Sequence, residues 1–485
     1  MYLSALLKKH NFDVFYIDSK EYEEISSAVE NIRPNLLAYS CTSGEYLHFK
    51  EIDVKLKSKY NLFSVIGGPH ATFYGEEIVR NSTFDGACVG EGEYPLLDLC
   101  ESIRDVKDYL HIKNWIFKNG KDVVKNEVRP LIEDLDILPT PDFALSGQLS
   151  ESERMLVWLH RGCPYNCTYC MNHALRKIYK GLGKVIRVSS PKKCIEIIKA
   201  RISLPNNKGK AILFKDDTFG HDIIWLKEFC ELYKKEIGIP WACHLYPTMI
   251  TEERISLMKD AGCTIIETAI ETGNEERRVN LLKRHMTNDF LIGAAKLAHS
   301  YGFCLRMQNI LLLPKETFKN AWETLCLNIK CEADVSTTTK FQPYPGIELT
   351  QMAIDSGCLE KGTFENNIPL DFHWNSILKF DNKNDLKRIT NLHHLFSFCV
   401  YFSIFKPFVY LMTFLPTSKF HYHMDNIAWK VITHRPAKYI KRGLKTKIIV
   451  FFVFVYNLLK PPNIKETLNK KYDLGIQREA LEKVF

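Results

Sequence analysis

The chain has 485 residues, 46% hydrophobic and 25% charged. That globular composition excludes a collagen-like or disordered protein and gives about two to four domains. The net charge of +8 is concentrated, because residues 426–465 hold nine Lys or Arg and no Asp or Glu. With the rest near neutral, a protein that coats nucleic acid is excluded.

Residues 1–110 alternate two patterns. Helical stretches are "MYLSALLKKH", "YEEISSAVENI", "YLHFKEIDVKLKSKY" and "YPLLDLCESI". Between them lie the strand-like "FDVFYID", "NLLAYSC", "LFSVIGGPHAT" and "FDGACVGEGE". Such alternation predicts a parallel sheet with helices on both faces. Gly67, Gly68 and Gly90 fall at strand ends, the edge where ligands lie in open α/β sheets. Tight turns alone would also explain them. Residues 111–150 read as a linker.

Residues 151–365 open with the strand pattern "RMLVWLH", and the loop "RGCPYNCTYC" follows directly. Cys163, Cys167 and Cys170 stand there in C-x3-C-x2-C spacing. Three thiolates on one short loop hold three irons of a [4Fe–4S] cluster and leave the fourth iron open to a small molecule. A structural zinc site is the alternative and needs a fourth ligand, for which His160 and His173 are near in sequence. Fifteen cysteines with no secretory signal before them point to a reducing, cytoplasmic compartment, so disulfides are not expected.

This loop resembles that of the radical S-adenosylmethionine (SAM) superfamily, including the aromatic Tyr169 before the last cysteine. The resemblance implies that the open iron is chelated by SAM, and that an electron from the reduced cluster cleaves SAM to a 5′-deoxyadenosyl radical. Cys163, Cys167 and Cys170 are then the metal ligands and the catalytic residues. A low-potential electron donor is an implied partner. The first 145 residues also resemble the cobalamin-binding domain found in front of many such enzymes, through "GGPHAT", "GEGEYPLLDL" and the linker word "RPLIEDLDILPTPDF". That implies cobalamin as a further cofactor, with Gly67, Gly68 and Gly90 bordering its tail. Two features depart from the family. Its first strand is missing, and so is an Asp-x-His-x-x-Gly run for a cobalt ligand. The expectation is a truncated start or a domain that binds cobalamin weakly.

Five further strand patterns follow, "AILFKDD", "WACHLYP", "CTIIETAIE", "FCLRMQNILLLP" and "DVSTTTKFQPYP", with helical patterns between them. Six strands fit a partial (β/α)6 barrel, also the radical SAM fold, with functional groups at the C-terminal strand ends. Asp216 and Asp217 end one strand and Glu271 ends another. Their carboxylates suit the SAM amino group or a substrate, and Arg306 suits the SAM carboxylate bidentately. Helix caps or solvated turns are the alternative for the acids. In the basic run "NEERRVNLLKRHMT", Arg277 or Lys283 is the side chain expected to face the pocket, if the run is more than a solvated face.

Residues 366–485 lose the alternation and read as helical. "LFSFCVYFSIFKPFVYLMTFLP" is broken by Lys406 and Pro407, so two short helices are expected there. "IIVFFVFVYNLL" is too short to cross a bilayer. It follows the basic "HRPAKYIKRGLKTK", a pairing typical of an interfacial membrane segment. Packing on the barrel with solvated lysines is the alternative.

The fold class expected is therefore α/β. A Rossmann-like cobalamin-binding domain lacking its first strand precedes the radical SAM barrel and a helical C-terminal region. The leading function is cobalamin-dependent methylation of an unactivated carbon in a small or lipid-like substrate, without nucleic acid. Anaerobic oxidative cyclisation is the nearest variant, and a non-catalytic cofactor-binding protein is the third reading. Methylthiolation of tRNA is disfavoured, because it needs a C-terminal β-barrel that these helical patterns do not supply.

Overall fold

The computed structural model describes residues 1–19, 21–148, 154–207, 211–363, 376–433 and 444–459. The N-terminal sheet runs in the order β1 (Leu37–Ser40), β2 (Ser64–Gly67), β3 (Gly86–Cys88), β4 (Trp115–Asn119) and β5 (Asp122–Lys125). The first three are parallel, and β4 and β5 extend the sheet antiparallel. Alternation decides which face each residue serves. Val65 packs with Leu6, Leu97 and Phe117, whereas Ile66 packs with Ala71, Ile78 and Ile116. Helices thus cover both faces, as the alternating pattern predicts.

Three elements differ from the sequence reading. The stretch "FDVFYID" joins no ladder among the described residues, and Phe15 and Tyr16 are exposed. Instead of adding a strand beside the outer strand β1, the segment is held by side chains: Phe12 and Val14 pack on the core of Leu6, Leu97 and Phe117. Second, the turn after β2 leads straight into a helix, Pro69–Asn81, which starts on the proline. Proline suits a first helical turn because that N–H would be unsatisfied anyway. Third, residues 115–125, read as linker, are the β4–β5 hairpin.

The second sheet contains all six expected strands: β6 (Arg154–Val157), β9 (Ala211–Phe214), β10 (Trp241–His244), β11 (Cys263–Glu271), β12 (Cys304–Leu311) and β13 (Val335–Lys340). They lie in that order, all parallel, as an open half-barrel. A short antiparallel pair, β7 (His160–Arg161) and β8 (Arg187–Val188), stands apart. Leu156, Leu213, Ala242, Ile265 and Cys304 form one apolar layer. Their neighbours Val157, Phe214, Cys243, Ile266 and Leu305 point the other way, into the large core shared with the helices.

The helix Lys383–Tyr401 lies along β13, where Ser397 Oγ donates to the Ser336 carbonyl at 2.7 Å. It covers a strand that would otherwise be an open edge. The chain then breaks as expected: a 3₁₀ turn at Ser403–Phe405 precedes a new helix, Lys406–Met412, with Pro407 in its first turn. The last described helix is Leu444–Leu459. Among the described residues no helix is long and apolar enough to cross a membrane.

Candidate functional site

The cysteine loop leaves β7 through Gly162, at φ 85°. A Cβ there would stand 2.1 Å from the Val185 carbonyl oxygen, so only glycine lets the two backbones approach this closely. The loop is then fixed to the barrel. Thr168 Oγ1 donates to the Leu281 carbonyl at 2.6 Å, and the Leu349 N–H donates to the Thr168 carbonyl at 2.9 Å. Cys170 caps the helix Met171–Ile178, and its N–H donates to the Cys167 carbonyl at 3.0 Å.

The donor set fits a cluster. Cys163, Cys167 and Cys170 are free thiols on one short loop, with Cys167 buried and the other two half-buried. The two histidines considered for zinc are engaged elsewhere. His173 Nε2 meets Glu348 at 2.9 Å, and His160 Nε2 accepts from the Gly220 N–H at 3.4 Å. Burial pushes the Cys170 thiol up to about 12, so bound metal is what would hold it as a thiolate.

A buried polar chain backs the loop. Arg284 Nη1 donates to Cys167 Sγ at 3.8 Å and to Tyr169 Oη at 3.2 Å, and Tyr169 Oη donates to Glu271 Oε1 at 2.6 Å. Glu271 takes φ 66°, an uncommon conformation for a side chain other than glycine or asparagine, costing about 1–2 kcal/mol. Burial pushes its carboxyl up, while Arg284 and the Tyr169 hydroxyl pull it back. Sequence reasoning singled out Arg277 or Lys283 from this basic run, not Arg284. In the structure Arg277 donates to the Pro314 carbonyl at 2.7 Å. Lys283 lines a second cavity of about 490 Å³ beside Tyr165, His173, Tyr246 and His285.

The other expected site residues do not gather at one place. Gly68, Gly90 and Asp217 line one cavity of about 310 Å³ between the N-terminal domain and the cysteine loop, together with His160, Gly162 and Tyr179. Gly68 has φ 91°, and a Cβ would stand 2.8 Å from the Cys41 carbonyl oxygen. Gly90 has φ 81°, and its missing Cβ leaves room for Tyr179, whose hydroxyl accepts from the Glu91 N–H at 2.8 Å. Asp216 is turned from this cavity and accepts from the Leu159 and His160 N–H groups at 2.7 Å each. Gly67 ends β2 beside Cys88 and does not line the cavity. Arg306 lies near the start of β12, in register with Glu267. Although burial pushes the Glu267 carboxyl up, the hydrogen bond from His244 and the charges of His244, Arg306 and Lys215 hold it at about 2.

The two walls of the cavity are clamped by ion pairs that sequence reasoning missed. Arg161 donates to Glu91 at 2.9 Å and to Glu93 at 2.5 Å, and Arg187 donates to Glu91 at 2.8 Å. The available signal was the acidic "GEGE" word and the arginine before "GC". Local sequence does not say that these two meet.

Residues 159–326 match the radical SAM superfamily, and residues 1–99 match the B12 binding domain. An uncharacterized methyltransferase of Pyrococcus horikoshii is 27% identical over 404 residues, covering 80% of this chain and 83% of that protein. The anaerobic magnesium-protoporphyrin IX monomethyl ester cyclase of Cereibacter sphaeroides is 23% identical, over 72% of this chain and 59% of its own. Among solved structures, the cobalamin-dependent SAM radical enzyme OxsB, with aqua-cobalamin and SAM bound, superposes with a TM-score of 0.65 at 15% identity, covering 100% of this chain and 78% of its own. A [4Fe–4S] cluster, SAM and cobalamin are the cofactors typical of proteins built this way. The chain is a radical SAM superfamily enzyme with an N-terminal B12-binding domain, related to the cobalamin-dependent radical SAM methyltransferases.

Proposed function

We propose that this enzyme transfers a methyl group to an unactivated carbon of a small or lipid-like molecule. The observation that carries this reading is the shared cavity: turns of the N-terminal domain at Gly68 and Gly90, Gly162 of the cysteine loop and Asp217 just past β9 line the same space. When bound, the cluster with SAM supplies one-electron chemistry and cobalamin supplies a methyl group. Cys163, Cys167 and Cys170 would hold the metal. Gly68 and Gly90 keep the N-terminal wall free of side chains, and Arg161 and Arg187 hold that wall against the loop. Burial, partly opposed by a hydrogen bond with Asn172, pushes the Asp217 carboxyl up from the ordinary carboxylate range.

Oxidative cyclisation is the second reading, favoured by the similarity to the Cereibacter cyclase. One anaerobic experiment separates the two. The full chain is reconstituted with cluster and given reductant and SAM, with or without cobalamin, and 5′-deoxyadenosine and S-adenosylhomocysteine are quantified. The proposal expects 5′-deoxyadenosine that is lost in Cys167→Ala, and S-adenosylhomocysteine only when cobalamin is present. 5′-Deoxyadenosine alone in every condition supports cyclisation. Neither product from a cluster-loaded chain leaves a non-catalytic cofactor-binding protein.

A further inference from the structure

The helix Leu444–Leu459 is apolar around its whole circumference from Ile448 to Val455. One side is packed: Val450 and Phe454 are buried, Phe454 lies 4.9 Å from Phe398, and Phe451 stacks on Phe405 at 5.7 Å. The other side faces solvent, with Ile449 61%, Phe452 66% and Tyr456 63% exposed. Those three recur every three or four residues, so they form one stripe. The Phe405–Phe451 stack joins that helix to the segment where Ile404 is 83% and Leu411 66% exposed. A helix apolar all round is normally covered all round, and a patch built from two adjacent elements marks a docking face.

Charge indicates what covers it. Lys447 lies over the Tyr401 ring and Lys406 over the Trp322 ring, each at 5.8 Å, so their stems run along apolar surface while their ammonium groups sit at its rim. The nine Lys or Arg and no acid between residues 426 and 465 make the surrounding sequence uniformly cationic. The helix has 16 residues and is about 24 Å long, shorter than the roughly 30 Å hydrocarbon core of a bilayer. It therefore suits the membrane surface, with its apolar stripe at the acyl boundary and lysines among the headgroups. We propose that this face docks the enzyme on an anionic lipid surface.

The test is flotation of the full chain with vesicles of phosphatidylcholine, alone or mixed with phosphatidylglycerol. Binding to the mixed vesicles is expected, weakening as salt rises. The double substitution Ile449→Glu and Phe452→Glu is expected to weaken it by at least about tenfold, and Leu411→Glu by a smaller factor. Unchanged far-ultraviolet circular dichroism and unchanged iron content separate loss of docking from loss of fold. The proposal is overturned if the wild type floats with neither vesicle, or if folded variants float as well as it does. It is also overturned if the wild type is a dimer that the double variant converts to monomer, because a second copy then covers the face.

Discussion

Arg284 places a permanent positive charge against the Sγ of Cys167, both buried, beside the half-buried Tyr169 and the buried Glu271. Hydrogen bonds and charge at a cluster sulfur are among the factors that set its potential. Removing the cation is therefore expected to make a reconstituted cluster harder to reduce. In Arg284→Gln the midpoint should move to more negative potential and SAM cleavage should fall by about tenfold, with Arg284→Lys in between. Potentiometric titration followed by electron paramagnetic resonance checks this, with iron content measured beside it. A purely structural role would lower iron content and leave the midpoint of the remaining cluster where it was.

The turn that follows β12, "LLLPKET", holds a buried acid. The Leu313 N–H donates to Glu316 Oε2 at 3.2 Å, and Oε1 has no partner among the described residues. Burial pushes the carboxyl from 4.5 up to about 7, against the nearby charge of Arg277 and the backbone hydrogen bonds. The folded value is raised above the unfolded one. The stabilisation is therefore complete below pH 4.5 and is lost as pH rises towards 7. In Glu316→Gln this pH dependence should flatten, leaving the variant ahead of the wild type at pH 8 by on the order of 3 kcal/mol. Urea unfolding at pH 5 and pH 8 reads the difference, and equal slopes in both proteins would rule the assignment out.

At the scale of the whole molecule, the two domains meet through Arg161, Arg187, Glu91 and Glu93, all largely shielded from water. Breaking a buried pair from one side leaves the other charge stranded, which costs about 3–5 kcal/mol. Arg161→Ala strands Glu93 and weakens the hold on Glu91. It is expected to loosen the N-terminal domain from the barrel, speed protease cleavage between residues 126 and 148, and weaken cobalamin retention. Limited proteolysis with and without cobalamin measures both effects. An unchanged cleavage rate would place the domain contact elsewhere.

Local pattern alone determined the six strands of the half-barrel, the helical C-terminal region with its break at Pro407, and the loop carrying Cys163, Cys167 and Cys170. Each of these is written within about twenty consecutive residues, where side-chain period, proline geometry and thiolate spacing act directly. The tertiary structure decided which polar side chains reach the site. Asp216 and Asp217 are adjacent in sequence, just past β9, yet one accepts from the Leu159 and His160 N–H groups and the other lines the cavity. Arg284 stands 117 residues from Cys167, and Glu91 stands 70 from Arg161. Contacts over such separations depend on strand register and domain docking, and no local run of residues encodes either one.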